Sequence, residues 1–170
     1  MLDQLEHENA ADGLLEEQLD LEHVGIIGGY FDVPGVLLAA TEDPRIDAVI
    51  GMGTNGIPVP QFEQAYLEFH WPQGAELPLG PYHSVYPTSN DLTFFDFPAW
   101  DLPGLPSGTD EEGSAHSLML MASLRPRDIE IVRTYARAFF DTYLRSEPLG
   151  LLGEASLDYP ELNIICYTPN

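Results

Sequence analysis

The sequence predicts an α/β fold, a short, mainly parallel sheet flanked by helices. Three observations carry this expectation. Two apolar runs, Val24 to Gly28 (VGIIG) and Ile46 to Met52 (IDAVIGM), bracket a short helical stretch within about thirty residues. That order of strand, tight turn, helix and strand is the signature of a βαβ unit, whose strands lie parallel. Arg125 to Arg145 carries Ile129, Val132, Tyr135, Ala136, Phe139, Phe140, Tyr143 and Leu144 at helical spacing, one broad apolar stripe. Leu162 to Tyr167 (LNIICY) reads as a terminal strand.

Taken in chain order, residues 1–19 read as helical. Leu2, Leu5, Leu14, Leu15 and Leu19 alternate with acids, and Asp12-Gly13 marks a break. The run at Val24–Gly28 is closed by glycines, as a buried strand would be. Val36 to Ala40 follows Pro34-Gly35 and reads as a helix with Pro34 near its first turn. Thr41-Glu42-Asp43-Pro44 ends it before the second strand. Asn, Gly and Pro make residues 54–63 a loop. Ala65 to His70 (AYLEFH) is a third strand, and Val85-Tyr86 the centre of a fourth. Residues 96–117, rich in Pro, Gly and acids, read as a lid-like loop. Pro126 suits the first turn of the long helix, and Pro148 and Gly150 mark its end.

Length and charge narrow the function classes. The chain has 170 residues, enough for a single domain spanning 1–170. Six cations, all Arg, face 28 acids, for a formal net charge of −22. Nucleic acid is excluded as a partner, because neutralising phosphates needs clustered cations. Docking on anionic lipid is disfavoured for the same reason, and no apolar run reaches the ~20 residues of a membrane span. Cys166, the single cysteine, has no internal disulfide partner. The N-terminus is acidic and lacks the pattern of a secretory signal, so a cytoplasmic setting is expected. An acidic surface without Lys fits a cytosol of high salt, where screening weakens self-repulsion. It equally fits a high-GC genome that favours Arg.

Several segments together carry a resemblance. The run LDQLEHENAADGLLEEQLDLEHVGIIG, then LLAATEDPRIDAVIGM, then DLTFFDFP, and finally IEIVRTYARAFFDTYLRSEPLGLLGEASLDYPEL resemble the C-terminal half of α/β-hydrolases. They are most similar to the platelet-activating-factor acetylhydrolase-like esterases and lipases. The last segment is the most specific. The resemblance implies a half-fold, in which the family's first strands have no counterpart in this chain. It also implies a nucleophile elbow after Val24–Gly28, a catalytic acid just after the next strand and a catalytic His near DLTFFDFP.

The departures from the family pattern concern the reactive groups. An elbow reads Gly-x-Ser-x-Gly, since a tight turn presents the Ser and small neighbours let strand and helix approach. This chain reads Gly28-Gly29-Tyr30-Phe31-Asp32, which puts Tyr30 at the nucleophile position. A phenol with a pKa near ~10 is a poor nucleophile without strong activation. The acid position falls on Gly53, and the His position on Asp91. Phe31 holds the oxyanion position, and the second oxyanion donor comes from a loop of the half without counterpart. These substitutions point to a catalytically inactive relative acting in binding or assembly, although the resemblance taken alone implies an active esterase or lipase. The alternative is an active carboxylic-ester hydrolase using other residues or a partner chain.

Other constellations are weaker. His83-Ser84 and His116-Ser117 are sequence neighbours, and neighbours in a strand point to opposite faces. Cys166 lies in an apolar strand and is expected to be a buried, inert thiol. His7 and His23 lack the i, i+4 partner of a zinc helix, and Asp110-Glu111-Glu112 lacks calcium-loop spacing. No metal or cofactor is expected. Gly51, Gly53 and Gly56 form G-x-G-x-x-G, but Pro58 and Pro60 follow where a nucleotide-binding helix would begin. Phe94, Phe95, Phe97 and Trp100 either pack the lid or line a pocket for a small apolar ligand. Val24–Gly28 would stand as an unpaired apolar edge, an aggregation template unless covered. A second copy, a partner chain or the helix at residues 1–19 would cover it, and a dimer or complex is expected.

Overall fold

Four parallel strands and one antiparallel strand form a single sheet in chain order, β1-β2-β3-β4-β5. The computed structural model describes residues 1–10, 13–29, 32–52, 59–69, 79–87 and 126–168. The strands are β1 (Val24–Gly28), β2 (Ile46–Met52), β3 (Ala65–Phe69), β4 (Tyr82–Pro87) and β5 (Leu162–Tyr167). The helices are α1 (Leu2–Asn9), α2 (Val33–Glu42) and α3 (Pro126–Arg145), followed by a 3-10 turn at Gly150–Leu152. Pairing is parallel from β1 through β4 and antiparallel between β4 and β5. The architecture is a mixed, mostly parallel α/β sheet with helices on both faces.

Two apolar clusters sandwich the sheet. On one face α3 brings Ile131, Val132, Tyr135 and Phe139 onto Ala48, Ile50, Met52, Leu67, Phe69 and Val85. On the other, α1 and α2 bring Leu2, Val33, Leu37 and Ala40 onto Val49, Tyr66 and Tyr82. Cover on both faces explains why β2 reads as an almost unbroken apolar run. Ile131 lies at the centre of the helix contact, although the apolar stripe read from sequence did not include it.

The elements follow the sequence reading with two differences in extent. α2 starts three residues before Val36, with a proline in its first turn, and runs on through Thr41 and Glu42, which the sequence pattern assigns to the break after Ala40. The helix expected over 1–19 stops at Asn9, and residues 14–18 form turns with Glu17 in the left-handed region. The Asn9 side chain holds the returning chain in place. Its Nδ2 donates to the Leu19 carbonyl at 3.0 Å, and its Oδ1 accepts from the Leu19 N–H at 2.8 Å. α1 then docks through Leu2 and through Arg45, which binds Asp3, Glu6 and Asp43 at 2.6–2.8 Å.

β1 is an edge strand. Among the described residues no strand pairs with its outer side, and Ile27 is 46% exposed. α1 packs on the α2 face and does not pair with this edge. No helix among the described residues is long and apolar enough to cross a membrane.

Candidate functional site

The connection from β1 to α2 is a tight turn. The N–H groups of Asp32 and Val33 both donate to the Gly29 carbonyl, at 2.7 and 2.9 Å. Gly28 lets the helix come close. A Cβ there would lie 2.5 Å from Val36 Cγ2 and 3.2 Å from the Asp32 carbonyl carbon, so a side chain would force Val36 to shift. The flanks of the expected elbow are thus a close strand–turn–helix. Tyr30, Phe31, Gly53, Asp91, Phe94, Phe95, Phe97, Trp100 and the lid at 96–117 lie outside the described residues, as does His116-Ser117.

Beyond the elbow, the described residues hold two buried polar groups, one on each face of β4. The first lies on the α2 face. Glu68 sits one residue from the C-terminal end of β3 and is only 8% exposed. The Tyr82 hydroxyl donates to its Oε2 at 2.8 Å, and Ser84 hydrogen-bonds the Tyr82 hydroxyl in turn. Burial pushes the Glu68 carboxyl up to about 7, while the Tyr82 hydrogen bond pulls the other way. Burial and the neighbouring carboxylate push the Tyr82 phenol well above its ordinary value. Among the described residues Glu68 has no cationic partner.

The second group lies on the α3 face. His83 is fully buried, its ring against Phe139 and Tyr143. Its Nε2 stands 2.5 Å from the Tyr143 hydroxyl. Burial pushes the imidazole down to about 4, opposed weakly by the Leu152 backbone. Cys166 is the cross-strand partner of His83 in the antiparallel pair. A Cys–His nucleophile needs a thiolate beside an imidazolium. Here burial drives both groups to their neutral forms, since it raises the Cys166 thiol and lowers His83. Cys166 is exposed, which corrects the expected burial. The reason is its place near the end of edge strand β5, where burial fades toward Tyr167.

His83 and Ser84 point to opposite faces, as strand alternation requires. Among the described residues no group of three or more His, Cys, Asp or Glu side chains is placed to hold a metal ion. His23 instead pairs at the surface with Asp20, 2.8 Å away.

The sequence reading missed Glu68 and Tyr82. The signal was present in Ala65–Phe69 (AYLEF), where an acid interrupts an otherwise aliphatic and aromatic strand. Acids are almost never fully buried unless paired, so such an interruption marks a special site. A scan against protein-family models finds no match, and a search of curated proteins finds no match either.

Proposed function

We propose that this chain is a hydrolase-derived α/β domain that acts in binding or assembly and does not cleave esters. The single observation that carries the reading is the close β1–turn–α2 connection, at which Gly28 admits Val36, in a sequence that has Tyr30 where the resemblance implies a serine. An elbow serves catalysis by presenting a hydroxyl that a base can deprotonate, and a phenol at that place is not such a nucleophile. Support comes also from the imidazole of His83. It is neutral, sealed among aromatic rings and bonded to Tyr143, on the sheet face opposite Ser84. A general base must reach the proton it takes.

The edge of β1 is the assembly surface of this reading. Among the described residues no strand pairs with its outer side, and a strand from a second copy or a partner chain would complete it.

The test is turnover of short-chain p-nitrophenyl esters, run with fluorophosphonate labelling of the same sample. Neither turnover nor labelling is expected. Turnover together with a labelled serine overturns the reading in favour of an active ester hydrolase.

A further inference from the structure

We infer that the outer edge of β1 takes a strand from a basic partner chain, an extended segment uncharged across its middle and carrying Lys or Arg at the end that lies beside the entry to β1. The inference rests on the binding reading above and names the kind of partner.

The edge is exposed and carries none of the usual guards. β1 pairs with β2 on one side, and among the described residues no strand lies on the other. Gly25 and Ile27 are exposed, while Val24 and Ile26 are half-buried. Sheet edges are normally blunted by a charged side chain, a proline or a bulge. VGIIG has no charge and no proline. Its register shift lies between Val24 and Gly25, and from Gly25 to Gly28 the pairing with β2 is regular. An added strand would meet apolar neighbours on both faces. Gly25 faces Phe140 and Leu144 of α3, both half-buried, and Ile27, two residues on, shares that face. Val24 and Ile26 border the α2 face.

Charge complementarity chooses the partner. Glu16, Glu17, Asp20 and Glu22 are all exposed on the approach to β1. Among the described residues the three glutamates have no cationic partner, and Asp20 has only His23. The opposite edge of the sheet differs. There Glu161, which directly precedes β5, is already paired with Arg127 at 2.7 Å. A second copy at β1 would set a net charge of −22 against another of −22. That repulsion reaches over about 8 Å at physiological salt and opposes the approach. A basic segment instead adds attraction at the acidic approach to the main-chain hydrogen bonds that an added strand makes with an edge.

The experiment is fluorescence anisotropy of the whole chain with the capped peptide KKVTVTVKK, beside its isomer KVKTVKTVK, of equal charge and composition but with no uncharged middle, and the acidic EEVTVTVEE. Wild type is expected to bind KKVTVTVKK at least tenfold more tightly than either control. Ile27→Asp, checked for folding by circular dichroism, adds negative charge yet is expected to weaken that binding at least fivefold. Leu157→Asp, at an exposed position before β5, is expected to leave it unchanged. In wild type, amide hydrogen exchange across Val24–Gly28 is expected to slow when the peptide binds, a readout that needs no variant. Equal binding of the isomer, or binding that leaves exchange in β1 unchanged, would assign the effect to diffuse surface charge and overturns the inference. Equal or tighter binding of EEVTVTVEE overturns it as well. So does a wild type that dimerises without peptide and protects the same amides, which gives the edge to a second copy. Any of these results, with ester turnover still absent, leaves the non-hydrolytic reading standing. Ester turnover with serine labelling would remove that reading separately.

Discussion

The buried polar side chains set opposed pH dependences. Glu68 titrates at about 7 in the fold against an ordinary 4.5. The native state therefore holds its proton more tightly than the unfolded chain does. Stability from this group is present below about pH 4.5 and is lost as pH rises toward 7, by about 3 kcal/mol across the window. His83 titrates at about 4 against 6.5, so the unfolded chain is the tighter proton binder. Its contribution is present above pH 6.5 and is lost as pH falls toward 4, also by about 3 kcal/mol. In wild type the two slopes oppose each other. Urea unfolding of Glu68→Gln at several pH values should separate them. Relative to wild type, the variant is expected to gain stability progressively from pH 4.5 to 7, and a difference independent of pH would contradict the burial assigned to Glu68. Tyr135 offers a second case. Its hydroxyl is buried with no hydrogen-bond partner among the described residues, and burial pushes the phenol up to about 12. Leaving a buried donor unpaired costs about 1–3 kcal/mol. Tyr135→Phe keeps the ring that packs on Tyr159 and is expected to raise the melting temperature; a fall would mean that the hydroxyl is satisfied.

At the level of elements, glycines decide how closely the pieces approach. Leu79 and Gly80 both donate to the Phe62 carbonyl, which clamps the entry to β4 against the entry to β3. A Cβ on Gly80 would lie 2.0 Å from the Glu63 carbonyl oxygen and 2.6 Å from that of Gln64. Backbone atoms cannot rotate aside as a side-chain tip does. Gly80→Ala is therefore expected to destabilise by about 3 kcal/mol, read as a lower urea midpoint, whereas Gly35→Ala, with open space around it, should not show a steric loss of this kind. The same local forces explain what the sequence made legible. β1, α2, β2, α3 and β5 are each written in a local apolar period or an apolar run bounded by Pro and Gly. The extent of α1 was not, because it depends on the Asn9–Leu19 hydrogen bonds between residues ten apart. Glu68 with Tyr82, and His83 opposite Cys166, exist only through the register of β3, β4 and β5, which no local pattern encodes. The antiparallel sense of β5 is likewise a property of the return from α3, and is invisible in LNIICY itself.

For the molecule as a whole, charge is the dominant long-range quantity. Twenty-eight acids face six arginines, so most acids have no counter-charge within the chain. The cations that are described sit largely in local clusters. Arg45 holds α1 and the α2–β2 turn through Asp3, Glu6 and Asp43, while Arg127 ties α3 to the segment before β5 through Glu161 and stacks over Tyr159. Salt acts on these two populations with opposite sign. It weakens the few exposed ion pairs, each worth little, and it screens repulsion among the many unpaired acids over a length that falls from about 10 Å at 0.1 M to about 3 Å at 1 M. Repulsion involves more charges and longer distances, so its relief wins. Raising KCl from 0.05 to 1 M is expected to lift the melting temperature by about 4–8 °C, which corresponds to a gain on the order of 2 kcal/mol for a chain of this size. Arg45→Ala distinguishes the populations within one experiment. Its loss of stability relative to wild type should be largest at 0.05 M and shrink at 1 M, because the attraction it removes is itself screened. A melting temperature that falls with KCl in wild type would show that the arginine clusters outweigh the acidic surface. It would also count against β1 edge pairing between copies being favoured by salt, since that pairing needs the same repulsion to be screened.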